Sequence, residues 1–196
     1  ASLLKQAESE RDSLRSEVHK LQAQLNDVIN QEKSVTAGIQ EELEQARGAA
    51  GFIEMEGPGL IVTLKDSTRV AQPGQDPNLF LIHDEDLLKL VNEFKAAGAE
   101  AITVNDQRVV ASTEIRCAGP TISVNNTRIG PPYVIQAIGD PADLESALKM
   151  RGGIMETMQF WGIQVQMEKK DHLVLPAYVG SHALKFARPL DKEDEK

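Results

Sequence analysis

Histidine is the side chain most often used as a metal ligand or general base. The chain has four, His19, His83, His172 and His182. His19 falls in a helical N-terminal stretch, His83 beside a helix start, His172 in an expected turn and His182 near the end. None has a second ligand at metal spacing, so no metal site is assigned. The single cysteine, Cys117, follows Arg116, and a neighbouring guanidinium can lower a thiol pKa. A nucleophile also needs a positioned base, and no spacing reveals one. Cys117 is therefore expected to be a small buried strand residue. Asp84, Glu85 and Asp86 have the composition of a paired-carboxylate site, but helix capping accounts for them. Asp84 reads as the N-cap, with Glu85 and Asp86 at the positive end of the helix dipole. Gly57-Pro58-Gly59 and Arg151-Gly152-Gly153 match neither the P-loop nor the dinucleotide fingerprint and read as turns. No catalytic residue and no cofactor follows from these residues.

The stretch from Glu114 to Pro132 gathers Arg116, Cys117, Asn125, Asn126 and Arg128 among prolines and glycines. Two accounts fit it. One is a pair of hairpins whose turns need those residues. In the other, Arg116, Asn125, Asn126 and Arg128 form a surface for a ligand or a protein partner.

The first 48 residues must present whatever follows them. Leu4, Val18, Leu25, Ile39 and Ala46 fall at one position of a seven-residue register. Ala7, Leu14, Leu21, Val28 and Val35 fall at the other, and the spacings of three and four alternate without a break. Arg11, Glu32 and Glu42 intrude in this seam, which lowers stability but sets register and partner number. The narrow seam and charged flanks predict a coiled-coil stalk over 1–48, roughly 70 Å long, that makes a homo-oligomer. The alternative is one amphipathic helix packed on its own domain.

Beyond the stalk, 196 residues leave room for an α+β domain over 49–188, followed by a charged tail over 189–196. A net charge of −9 argues against nucleic acid as the partner. One cysteine excludes an internal disulfide, and no apolar run is long enough to span a bilayer. The chain begins at Ala1, without an initiator Met and already inside the heptads, which reads as a trimmed N-terminus, so any anchor upstream would not be visible in it.

Within the domain, Phe52–Glu56 reads as a short strand, turned by Gly57-Pro58-Gly59 into a central strand at Leu60–Leu64. A helix with Leu87, Leu90, Val91 and Phe94 on one face stops near Gly98. Strands follow at Ala101–Val104, Arg108–Ala111, Glu114–Cys117, Thr121–Val124 and Tyr133–Ile138, with tight turns at Asn105-Asp106 and Asn125-Asn126. Asp140 caps a second helical stretch with Pro141 at its first position, interrupted at Gly152-Gly153 and ended by Gly162. Ile163, Val165 and Met167 alternate in a last strand, and Lys169–His172 turn the chain into Leu173-Val174-Leu175. Strand–helix–strand thus occurs twice, which predicts a ferredoxin-like split βαβ domain whose inserted hairpins lengthen the sheet or form a flap.

Glu114–Ile122, Val124–Ile129 and Pro131–Ile135 together resemble a bacterial family of unknown function that includes the YlxW and YlxX proteins. Further matches are Gly57–Leu60, Asp84–Val91, Asn92–Ala99, Arg151–Gly153 and Trp161–Ile163, and the likeness covers roughly residues 50 to 188. The resemblance implies an N-terminal membrane segment, a coiled coil and an extracytoplasmic α+β domain, with genes beside those of division and envelope synthesis. It offers no catalytic residue or cofactor. The expectation is a non-enzymatic, membrane-anchored scaffold or adaptor on the extracytoplasmic face, whose partner is an envelope or division protein. A small-ligand-binding sensor of ferredoxin-like type is the alternative, by analogy of fold.

Overall fold

The computed structural model describes Glu17, Lys20, Leu21, Gln24 and residues 36–180 and 184–188. The chain divides into two compact units, Ala1–Ala46 and Arg47–Lys196. Residues 36–49 form helix α1, which passes through Gly38 without interruption. Leu21, Ile39 and Leu43 are exposed in the single chain, at 58%, 61% and 56%. The other leucine and valine seam positions, and the tail over 189–196, lie outside the described residues.

In the second unit α1 ends where Gly51 N–H donates to Gly48 O at 3.0 Å and Phe52 N–H to Arg47 O at 2.8 Å. The elements then run β1 (Met55–Lys65), a 3-10 turn (Pro77–Phe80), α2 (Asp84–Ala96), β2 (Ala101–Val104) and β3 (Gln107–Arg108). After them come β4 (Ile115–Ala118), β5 (Thr121–Val124), β6 (Thr127–Ile129) and β7 (Tyr133–Ile138). The last are α3 (Pro141–Leu148), α4 (Ile154–Trp161) and β8 (Gln164–Leu175). This is a mixed α and β unit with two antiparallel sheets, in the orders β3-β2-β7-β1-β8 and β4-β5-β6.

Alternation along β1 decides which face is buried. Leu60, Val62 and Leu64 are fully buried beneath Leu87, Leu90 and Phe94 of α2, Leu144 and Leu148 of α3, and Met155 and Met158 of α4. The residues between them on β1 point to the other face, where Ile61 and Met55 pack on a smaller cluster of Ala101, Ile138, Leu173 and Leu175. The hairpin of β2 and β3 lengthens the main sheet. The next two hairpins instead build the second sheet, and Ile115, Ile122, Val124 and Ile129 join that sheet to the main core.

Three sequence expectations are corrected here. Gly57-Pro58-Gly59 does not turn the chain; β1 runs straight through it. The ladder shifts between Gly57, opposite Leu173, and Gly59, opposite Lys170, so Pro58 faces the extra pair Asp171-His172 across a β-bulge. A bulge tolerates proline inside a sheet, because the ladder bond its missing N–H would make is absent there. For the same reason Lys169–His172 is not a turn, and β8 is one strand of 12 residues. The bulge and two lysines also make this sheet edge a poor template for pairing with another chain. Strand β3 is shorter than expected: Val109 N–H makes a last bond to Ile102 O at 2.9 Å, and Val110 N–H then turns to Thr113 Oγ1 at 2.8 Å.

Other local signals of turn and cap are followed, at Asp140, Gly162 and the two asparagine turns. Asp140 Oδ1 accepts from Ala142 N–H at 2.8 Å and Asp143 N–H at 3.0 Å, ahead of Pro141. Gly162 closes α4 with φ of 78°. Asn105, Asp106, Asn125 and Asn126 have φ of 45°, 61°, 51° and 60°, the left-handed pairs of two-residue hairpin turns. Trp161 is half-buried and meets Phe80 edge-on at 5.8 Å.

Glu145 ties α3 to β8. It accepts from Lys149 Nζ at 2.6 Å and from Lys169 Nζ at 2.9 Å, and these two ammonium groups hold its carboxyl down to about 2. A carboxylate whose folded pKa lies below its ordinary 4.5 stabilises the fold above that value and loses the effect as pH falls towards 2. Glu145→Gln is therefore expected to unfold at lower urea than the wild type at pH 6, with the gap closing by pH 2. Urea midpoints at the two pH values check this, and a gap that is constant with pH would rule the ion pairs out as its cause.

Candidate functional site

The second sheet sorts the expected partner residues by its two-residue period. Arg116 stands opposite Ser123, and Ser123 opposite Arg128. Directly paired residues share a face, so the two exposed arginines flank Ser123, which is 4% exposed. Asn125 and Asn126 do not join them. Asn125 Nδ2 donates to Arg108 O at 2.9 Å, and Asn126 N–H donates to the Glu114 carboxylate. Both asparagines hold the turn, while Arg116 and Arg128 face solvent.

The opposite face of β4 looks into a cleft between residues 66–83 and the β4–β5 hairpin. The cleft has a volume of about 370 Å³ and is lined by Asp66, Leu81, His83, Cys117, Ile122 and Tyr133 among others. Cys117 is exposed here, contrary to the expectation of a buried strand residue. The reason is its place on the edge strand β4, where Asp84 takes the ladder's role. Asp84 Oδ2 accepts from Cys117 N–H at 2.8 Å and Oδ1 from Glu85 N–H at 2.9 Å. The expected N-cap is thus also corrected: His83 occupies that position, and its N–H donates to Asp86 Oδ2 at 2.9 Å. The bond from Cys117 N–H holds the Asp84 carboxyl below its usual value.

Proximity supplies the base that no spacing revealed. His83 Nδ1 lies 3.8 Å from Cys117 Sγ, and His83 Nε2 lies 3.0 Å from Asn78 O. A carbonyl only accepts, so Nε2 carries a proton towards Asn78 O, while the Cys117 thiol stands between His83 Nδ1 and the Asp84 carboxylate. Partial burial, with the Asp84 and Asp86 carboxylates, pushes the thiol pKa up. A raised thiol pKa makes Cys117 a weaker nucleophile than an unperturbed cysteine. Among the described residues no group of three or more His, Cys, Asp or Glu side chains is arranged to hold a metal ion.

Arg108 is the residue whose importance the sequence hides. It is 3% exposed, and its guanidinium donates to Ile53 O and Pro176 O at 3.2 Å each and to Gly48 O at 3.3 Å. It gathers the last turn of α1, the entry to β1 and the exit from β8. Burial pushes its pKa down. Its acceptors lie 55 to 68 residues away, where no pattern along the chain points to them.

A family profile described as "Bacterial protein of unknown function (DUF881)" matches residues 42–188. The chain belongs to this family. It is 32% identical over 142 residues to the UPF0749 protein YlxW of Bacillus subtilis, covering 72% of this chain and 61% of that protein. A second relative from that organism, the UPF0749 protein YlxX, is 28% identical over 153 residues, covering 74% of this chain and 62% of that protein. The chain thus spans about three-fifths of the length of these relatives. The crystal structure of an uncharacterised conserved protein from Mycobacterium tuberculosis is similar in fold, with a TM-score of 0.61 at 29% identity. That likeness covers 76% of this chain and 99% of the other. No helix among the described residues is long and apolar enough to cross a membrane.

Proposed function

We propose that this chain is a non-enzymatic binding and assembly module of a membrane-anchored bacterial envelope protein. It would oligomerise through its stalk and act on the extracytoplasmic face as a scaffold or adaptor linked to division or cell-wall synthesis. The row Arg116–Ser123–Arg128 carries this reading. It presents two exposed guanidiniums two strands apart, about 9–10 Å, on one sheet face. Arginine is a frequent interface anchor and binds carboxylates in bidentate fashion, so this spacing suits an acidic protein segment. The exposed seam residues Leu21 and Ile39 support a partner helix for the stalk. The order β2-β7-β1-β8, with helices following β1 and β7, supports the ferredoxin-like outline. The envelope location, the anchor and the division link draw their support from the layout that the family resemblance implies. The alternative, a small-ligand sensor, has the His83–Cys117 cleft in its favour.

The test is a pull-down from bacterial membranes with the wild type and an Arg116→Ala/Arg128→Ala variant. The variant is expected to melt as the wild type does, since exposed substitutions stay within about 0.5 kcal/mol, and to lose a bound protein that the wild type retains. Recovery of the same proteins by both would remove the docking role. Light scattering that finds a single chain in the unmodified protein would remove the assembling stalk.

A further inference from the structure

The cleft beside Cys117 is distinct from the arginine surface. Cys117 pairs with Ile122 across the ladder, so the cleft and the Arg116–Ser123–Arg128 row lie on opposite faces of the second sheet. Tyr133 lines the cleft while being only 3% exposed, and among the described residues its hydroxyl makes no hydrogen bond. The hydroxyl is not one of the buried polar atoms that lack a partner, so it is reached from the cleft and is available to a guest. Burial, with Asp66 nearby, pushes the tyrosine pKa up. The lining contains Asp66 and no lysine or arginine, and Asp84 and Asp86 are near enough to Cys117 to raise its pKa. Leu81 and Ile122 add apolar wall. The volume of about 370 Å³ falls within the usual range for small-molecule pockets.

We propose that this cleft binds a small organic cation, an alkyl amine whose ammonium group meets the Asp66 carboxylate and the Tyr133 hydroxyl while its stem packs on Leu81 and Ile122. The carboxylates oppose an anion, and the unpartnered hydroxyl can accept from an ammonium. His83 and the Cys117 thiol complete a lining that contains no lysine or arginine.

Cys117 is the chain's only cysteine and stands at the site, so its alkylation reports occupancy without a label. The full chain is treated with iodoacetamide, a neutral reagent, and modification is followed by mass spectrometry in the presence of n-pentylamine, n-pentanol or n-pentanoate. Pentylamine is expected to slow alkylation saturably, by fivefold or more, and pentanoate to leave it unchanged. Asp66→Asn keeps an oxygen for the Ile82 N–H that Asp66 Oδ1 binds at 2.9 Å, and Tyr133→Phe keeps the ring, so both variants should fold. Each is expected to raise the pentylamine concentration for half-protection about tenfold, the equivalent of about 1.4 kcal/mol. Equal protection by all three compounds would mean apolar adsorption only and would overturn the proposal. So would an absence of protection by pentylamine, or half-protection unchanged in both variants.

Discussion

Replacing Arg108 by methionine is expected to lower the unfolding free energy by about 3–5 kcal/mol, the largest loss from any single side chain outside the apolar core. Methionine keeps most of the apolar stem, so little packing is lost and the effect isolates the guanidinium. What disappears is the common donor for Gly48 O, Ile53 O and Pro176 O. A bond from a charged donor contributes about 1.5–3 kcal/mol, and a buried carbonyl left without a partner costs about 1–3 kcal/mol. Three such bonds act as one unit, so the sum of separate values overstates the total. Arg108→Lys should fall between, because an ammonium keeps the charge but cannot reach three carbonyls from one planar fork. Urea unfolding followed by the fluorescence of Trp161 measures all three proteins, with an unchanged slope expected. A methionine variant within 1 kcal/mol of wild type would show that water satisfies those carbonyls equally well.

The second large effect comes from one methyl group. At Gly59 an added Cβ would stand 2.0 Å from Ala137 O and 2.9 Å from Leu173 Cδ1. The first contact is with backbone of the neighbouring strand, which cannot swing aside as a side chain can. Gly59→Ala is therefore expected to cost about 3 kcal/mol or more, at or beyond the usual range for overpacking, by prising β1 from β7. Gly38→Ala supplies the opposite sign. Nothing lies within 4 Å of its Cβ and it sits in exposed helix, so alanine should favour that helix by about 1 kcal/mol. Thermal melts and helix content by circular dichroism separate the two. A Gly59→Ala protein that melts with the wild type would mean the bulge yields more readily than its geometry indicates.

Much of the chain was legible because its signals act within a few residues. Asn105-Asp106 and Asn125-Asn126 adopt the left-handed backbone that asparagine and aspartate tolerate, so each hairpin could be placed from two letters. Asp140 with Pro141 starts α3, and Gly162 ends α4, through bonds to their own neighbours. The apolar, β-branched run Leu60–Leu64 announced a central strand, and the stripe of Leu87, Leu90, Val91 and Phe94 a buried helix face. What each face would bury was beyond them.

Where a residue's role depends on a partner far along the chain, the letters were silent or misleading. Gly57-Pro58-Gly59 suits a turn as well as a bulge, and only the carbonyl of Ala137 against Gly59 and the extra pair on β8 selected the bulge. Asp84 has the chemistry of a cap, yet the edge of β4 offered its carboxylate an unpaired N–H, and His83 became the cap instead. The same edge left Cys117 facing solvent beside His83, 34 residues away. Of the four residues expected to form one surface, strand pairing put Arg116 and Arg128 on a common row and left Asn125 and Asn126 in the turn. Local sequence determined the turns, caps and apolar periods, because backbone torsion and side-chain size act where they are written. Tertiary structure decided the bulge, the arginine row, the cleft and the bonds of Arg108, because each needs a donor and an acceptor that only the folded sheets bring within about 3 Å.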